Sequence, residues 1–237
     1  MNEHIYPTNQ SSFLQGVKDC IPTLLGYLSI GFAAGVVEKT SGLSISEIVL
    51  MSLLLYAGSA QFIAAGMIAA QHPISAIIFT IFFVNLRLLL LSAALAPHFR
   101  HLSPWKNIAV GSLLTDETFG VAINRIQQKE AISFSWMLGL NITAYLNWLI
   151  ANIIGGIFGQ MIPNPEALGL DYALTAMFIG LLVLQMEKKS ANQYKILIAT
   201  STAVLVVGIS FLFSGYVSVI TATLLGATLG VIIERWK

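Results

Sequence analysis

The sequence predicts an all-α integral membrane protein. It has seven, alternatively eight, transmembrane helices in two repeated halves that contain broken helices. Three observations carry this. First, hydrophobic residues make up 56% of the 237 and charged residues only 10%, against roughly 25% charged in an ordinary soluble domain. Second, apolar stretches repeatedly approach the roughly 20 residues that cross a bilayer, and mean hydropathy is +0.79. Third, the string Tyr56-Ala57-Gly58-Ser59-Ala60-Gln61-Phe62 interrupts the uncharged stretch 48–70, and a similar string returns as Tyr172-Ala173-Leu174-Thr175-Ala176-Met177-Phe178. Upstream of these strings, Gly31 and Gly35 are matched by Gly155 and Gly159, and Gly42-Leu43 by Gly169-Leu170. Lipid offers polar atoms no partner, so such a break must face protein or a cavity, and repeated broken helices are how secondary transporters build a midplane site.

In order along the chain, residues 1–12 are a polar tail, and 13–237 form one transmembrane domain with repeat halves of about 13–123 and 132–237. No cleavable signal peptide is expected, because the first apolar stretch lacks a small-residue exit site. The first span runs from about residue 20 to 37, with Pro22 near its start, where a missing N–H matters least, and Gly26, Gly31 and Gly35 open a groove for a neighbouring helix. Residues 38–47 read as a polar loop. The second span is 48–70. The third, 74–96, carries Asn85-Leu86-Arg87 about halfway along, and a polar loop covers 97–107. Residues 108–123 contain Asp116-Glu117 and read either as a short span or as a re-entrant hairpin. A span follows over 132–162, ended by Pro163 and Pro165; then come the second motif at 171–186, a charged loop, and a hairpin of 196–213 and 216–233.

Basic residues bear on the ambiguous piece. Eight crossings put Lys39, Arg100 and Lys106 opposite the other loop cations. Seven leave Lys18 alone on one side, with the C-terminus inside and the two halves inverted. The second arrangement is the more asymmetric. A single cysteine excludes an intramolecular disulfide and a cysteine metal cluster, and no metal-binding pair such as His-Glu-x-x-His occurs. A net charge of +1 points away from nucleic acid. No cofactor is implied.

Arg87 is the most informative residue. A guanidinium at mid-bilayer costs a few kcal/mol on the mildest scale and cannot shed its proton. It therefore faces a carboxylate of substrate, Asp116 or Glu117, unless it snorkels or serves structure alone. Asp116 and Glu117 are adjacent, so on a helix they point about 100° apart and cannot both address one ligand; one pairs with Arg87 while the other titrates, or both lie in a loop. Gly58, Ser59 and Gln61 offer groups to a zwitterion, with Thr175 in the matching half. Asp171 is either proton-linked or only a helix cap. Asn141, Asn147 and Asn152 read as bonds between helices, and His72, His98 and His101 as interfacial residues.

These residues resemble a known family. Gly26-Tyr27…Gly31…Gly35, Gly42-Leu43-Ser44, the Tyr56–Phe62 string, Asn85-Leu86-Arg87, Thr115-Asp116-Glu117-Thr118-Phe119 and Leu168-Gly169-Leu170-Asp171-Tyr172-Ala173 are similar to motifs of the AzlC family of bacterial branched-chain amino-acid permeases. The match covers the chain from about residue 13 onward and is nearest to the YgaZ-like large subunit of a two-component exporter. The resemblance implies proton-driven export of valine, leucine, isoleucine and sometimes methionine across the bacterial cytoplasmic membrane, with a small membrane subunit of the AzlD/YgaH type. It suggests a substrate site of Arg87, Asn85, Gly58, Ser59, Gln61, Tyr27, Tyr56 and Thr175, with proton coupling at Asp116, Glu117 and Asp171. Two competing classes are weaker. Gly58-Ser59 is only faintly like an intramembrane serine nucleophile, since no histidine lies within a later helix, and a simple pore would not show saturable, selective flux.

Overall fold

A computed structural model describes residues 12–162, 192–211 and, singly, 167, 169, 172, 175, 176, 179, 221, 225, 226 and 228. The chain forms two compact units, Met1–Leu174 and Thr175–Lys237. In the first, the helices are α1 (Phe13–Thr40), α2 (Ile45–Leu54), α3 (Gly58–Ala69), α4 (Ile74–Leu95, extended by the 3-10 turn Ala96–Phe99), α5 (Pro104–Ser112), α6 (Asp116–Gln127) and α7 (Phe134–Gly159). The second unit contributes α8 (Asn192–Ser210). Among the described residues there is no strand. The second-motif residue Asp171, most of the loop before residue 192 and most of the final hairpin fall outside the described residues.

The unit is built on α1 and α7, which lie side by side and run parallel. Gly16 sits against Trp136 and Leu140, Gly31 against Ala151 and Asn152, Gly35 against Asn152 and Gly156, and Gly159 against Val36. A methyl group on Gly35 would overlap the Asn152 carbonyl, and one on Gly155 the Phe32 carbonyl. Small residues therefore set the separation, as they do between membrane helices generally. Gly26 has open space around it and takes no part in that groove. The glycines matched across the two halves thus lie on helices pointing the same way, which corrects the expectation of an inverted pair.

Helix α1 begins at Phe13, capped by the Ser12 hydroxyl, so Pro22 lies inside it rather than at its start. At the other end it continues through Glu38 to Thr40, where a loop was expected. The cause is visible in the spacing: Tyr27, Gly31, Ala34 and Glu38 recur every three or four residues, and all four are buried.

The stretch 48–70 is not one span. Helix α2 starts against Gly156 through Ile45 and Ile48, then descends to Tyr145, whose hydroxyl donates to the Leu53 carbonyl and whose ring meets Tyr56 edge-on. The chain turns there, with Tyr56 at φ 40, a left-handed conformation that costs a tyrosine about 1–2 kcal/mol. Helix α3 then runs back: Gly58 lies at the Trp148 ring, but Gln61 already reaches Glu38. It also lies antiparallel to α4, joined to it through Ser59 and Arg87 at one end and the turn 70–73 at the other. Thus α2 and α3 enter from the Thr40 end of the bundle and leave by it.

Residues 104–127 mirror this from the opposite end. Lys106 lies over the Phe134 ring and the Val110 carbonyl accepts from Asn141, so α5 climbs from the start of α7. The chain breaks at 113–115, where Thr115 meets Tyr27. Helix α6 then returns to Asp19 and Trp136 through Arg125. Of the two sequence readings of 108–123, the re-entrant one matches this course. Between the hairpins α4 crosses the whole unit, and α1, α4 with its extension, and α7 are the described helices long and apolar enough to span a bilayer. Ile78, Phe79, Phe82 and Leu89 of α4 are exposed, as lipid contact allows.

Candidate functional site

The two hairpin tips meet midway along α1 and α7. Helix α3 begins at Gly58 because the extended Ala57 releases the chain from the Tyr56 corner. Ala57 gives no side-chain cap, so the first N–H groups of α3 are not closed off by a side chain and carry the positive end of the helix dipole. Helix α6 begins at Asp116 because Thr115 and Thr118 form a reciprocal capping box. That box leaves the next two side chains, Asp116 and Glu117, at the tip.

Arg87 spans the gap between the tips. One terminal nitrogen pairs with Asp116 at 2.5 Å and the other donates to the Ser59 hydroxyl at 2.7 Å. The pair keeps 26% and 21% side-chain exposure, so a ligand can compete for it. Ser59 is here an acceptor facing a cation that cannot take its proton, which is no arrangement for a nucleophile. Tyr27 donates to Glu117 at 2.9 Å and also meets the Thr115 hydroxyl. With its hydrogen directed at the carboxylate, the Tyr27 oxygen accepts from Thr115. Adjacent carboxylates therefore serve different partners, as the helical angle between them requires.

A second polar layer lies nearer the Thr40 end, around Gln61. Its amide nitrogen faces Glu38 at 2.9 Å, Ser52 at 3.1 Å and Asn152 at 3.5 Å, while its oxygen accepts from the Trp148 indole at 2.7 Å. Asn152 is held in turn by the Trp148 carbonyl. Glu38, Gln61, Ser52 and Asn152 are completely buried.

Of the residues singled out from the sequence, Tyr27, Ser59, Arg87, Asp116 and Glu117 stand together at the tips. Tyr56 and Gly58 form the α2–α3 corner beside Tyr145 and Trp148. Asn85 lies on α4 with its amide oxygen buried and without a hydrogen-bond partner among the described residues. Gln61 belongs to the second layer rather than the first. Thr175 is an exposed helical residue of the other unit, and Asp171 lies outside the described residues. Asn141 and Asn147 bond to the Val110 and Leu24 carbonyls, linking helices as expected. Sequence reasoning missed Glu38, Trp148 and Thr115. The small-and-polar stripe from Tyr27 to Glu38 and the Thr115-x-x-Thr118 spacing were the available signals for two of them.

Comparison with known proteins places this architecture in a family. Residues 22–162, more than half of the chain, match the family model described as AzlC protein. The inner membrane protein YgaZ of Escherichia coli strain K12 is 27% identical over 233 residues, 96% of this chain and 93% of that protein. The branched-chain amino acid transport protein AzlC of Bacillus subtilis strain 168 is 28% identical over 196 residues, 81% of this chain and 76% of that one. An uncharacterized membrane protein of Archaeoglobus fulgidus is 30% identical over 182 residues, 74% and 77% of the two chains. No solved structure matches. The chain belongs to the AzlC family and is a membrane protein.

Proposed function

We propose that this AzlC-family chain is a secondary transporter that exports valine, leucine, isoleucine and methionine across the bacterial cytoplasmic membrane in exchange for protons. A small membrane subunit of the AzlD/YgaH type accompanies it. The observation that carries this is Arg87, held between two half-membrane hairpins by partners that a carboxylate can displace. The name of the Bacillus subtilis relative supports the substrate class.

In this reading the substrate carboxylate takes Arg87 from Asp116, aided by the uncapped first turn of α3. Its ammonium goes to Glu117, already oriented by Tyr27. Asn85 supplies its buried amide oxygen, and Tyr56 and Gly58 shape the corner. Asp116, once freed from Arg87, is the proton-linked carboxylate of this site. Thr175 and Asp171 are assigned to the second half of the site by the repeated motif alone, with halves of about 13–123 and 132–237. Lys18, Arg100, Lys106, Arg125 and Lys129 cluster at the Phe13 end of the described unit and Lys39 at the other, so the Phe13 end is cytoplasmic.

The experiment is efflux of labelled valine, leucine, isoleucine, methionine and a control amino acid from loaded cells, with and without the small subunit and a proton uncoupler. Uncoupler-sensitive loss of the branched-chain set is expected; equal retention of every amino acid, with both proteins in the membrane, overturns the reading. An impermeant thiol reagent added outside should label Gln71→Cys and spare His101→Cys. The reverse pattern would invert the orientation.

A further inference from the structure

The carboxylates at the hairpin tips carry a linkage of definite sign. Substrate binding at Arg87 strips Asp116 of its cation and so favours a proton on Asp116. By reciprocity that proton favours substrate. Such a site binds proton and substrate together, whereas an exchanger needs a proton that opposes substrate. Another titratable group must supply the opposition, and it must touch an element that also touches Arg87.

Glu38 meets both conditions. It is completely buried, one of its oxygens accepts from Gln61 at 2.9 Å, and the other has no hydrogen-bond partner among the described residues. Among the described residues no cation is aimed at it. On its own helix, Lys39 donates to the Leu43 carbonyl. On α2, the nearest charged residue, Glu47, accepts from Ser44 at the helix start. Helices α3 and α7 contain no charged residue at all. A proton at Glu38 is thus gained or lost against a shell of neutral side chains: Gln61, Ser52 and Asn152.

Gln61 is placed to report that change. Its oxygen is fixed by the Trp148 indole, so its nitrogen must face the acceptors. Two amide protons confront three oxygens, and the 3.5 Å contact with Asn152 is the slack one. Two residues earlier on the same helix, Ser59 holds Arg87. We propose that Glu38 is the proton-carrying group of the exchange, read by Gln61 and relayed through the first turn of α3 to Arg87. An ionised Glu38 holds Gln61 by a charge-assisted bond and so seats Ser59 on Arg87. A proton on Glu38 removes that charge, slackens the first turn of α3 and weakens substrate binding. The proposal rests on the transporter reading above.

The test is valine binding to the purified full chain with any accompanying small subunit, measured across pH 5.5–8.5 with proton release followed in weak buffer. Wild type should bind more tightly as pH rises and release protons on binding, the loss from Glu38 exceeding the uptake at Asp116. Glu38→Gln should bind weakly, with affinity that no longer rises with pH and with no net proton release, because only the Asp116 linkage remains; Glu38→Asp should restore release. Should Glu38→Gln not be recovered from the membrane, Gln61→Met decides: it keeps the carboxyl, removes the reader and should also abolish release. Release that persists in either variant, or valine binding that follows sodium rather than pH, overturns the role of Glu38. Wild type that binds no valine at any pH overturns the transporter reading itself.

Discussion

The α2–α3 and α5–α6 hairpins reach the same level of the bundle from opposite ends, yet different chemistry holds them there. The α2–α3 hairpin is wedged between α1, α7 and α4 by fit and by hydrogen bonds of an uncharged side chain: Gly58 against the Trp148 ring, Gln61 among Glu38, Ser52 and Asn152. The α5–α6 hairpin is tied by charge. Asp116 pairs with Arg87 at its tip, and at its foot Arg125 binds Asp19 at 2.6 Å and stacks over Trp136, whose indole donates to the same carboxylate. A tightly packed neutral element tolerates little change of volume. A charge-tied one tolerates volume but not loss of partners. In a transporter, the first is suited to moving as a rigid piece and the second to exchanging partners with a ligand.

The sharpest way to break the comparison is at the residue both hairpins share. Arg87→Ala should lower valine efflux by at least about 100-fold in protein that still reaches the membrane. Arg87→Lys should fare little better, because one ammonium cannot hold Ser59 and Asp116 in the same fork. Near-normal efflux in either variant would remove Arg87 from the site.

Glycine replacements sharpen the packing half of the contrast. A methyl group on Gly58 would stand 2.9 Å from the Trp148 ring, whereas Gly120 of α6 has open space. Gly58→Ala should destabilise by about 1–3 kcal/mol, and Gly120→Ala should be neutral or stabilising by up to about 1 kcal/mol, both read by thermal unfolding in detergent. Equal effects at the two positions would erase the distinction between the hairpins.

The charge-tied half is tested at Arg125. Arg125→Ala should cost about 1–3 kcal/mol, and hydrogen exchange should rise over 116–133 while α2–α3 keeps its protection. The smallest loss is expected at Tyr27. Tyr27→Phe removes one hydroxyl from Glu117 and Thr115 and should weaken valine binding by about fivefold, near 1 kcal/mol. An unchanged affinity would mean that Glu117 does not depend on Tyr27 for its orientation.

The polar residues of the tips were legible in the sequence because apolar surroundings make them conspicuous. Arg87, Asp116-Glu117 and the Gly58-Ser59 break stand out in stretches with almost no other polar group. Glu38 was not legible in the same way. It follows the apolar run directly, so composition assigns it to a loop, and only its register with Tyr27, Gly31 and Ala34 points inward. The course of 48–70 was hidden for a different reason: hydropathy registers length and polarity but not direction. A broken helix that continues and one that turns back have the same profile.

By itself, then, the sequence determined that the chain is helical and lies in a membrane, and that the stretch 48–70 breaks at Gly58, because bilayer-length apolar runs and midplane polar residues admit few alternatives. It also showed that Arg87 and the Asp116-Glu117 pair must find partners inside, though not Glu38. Only the tertiary structure decided who those partners are. The glycine faces of α1 and α7 bring the two helices together in parallel, and their contacts fix the depth of each hairpin. That depth places Asp116 on Arg87, Tyr27 on Glu117 and Gln61 on Glu38. The physical reason is that partner choice depends on distances of about 3 Å between segments far apart in the chain, and such distances are set by backbone approach and helix direction, which no local pattern encodes.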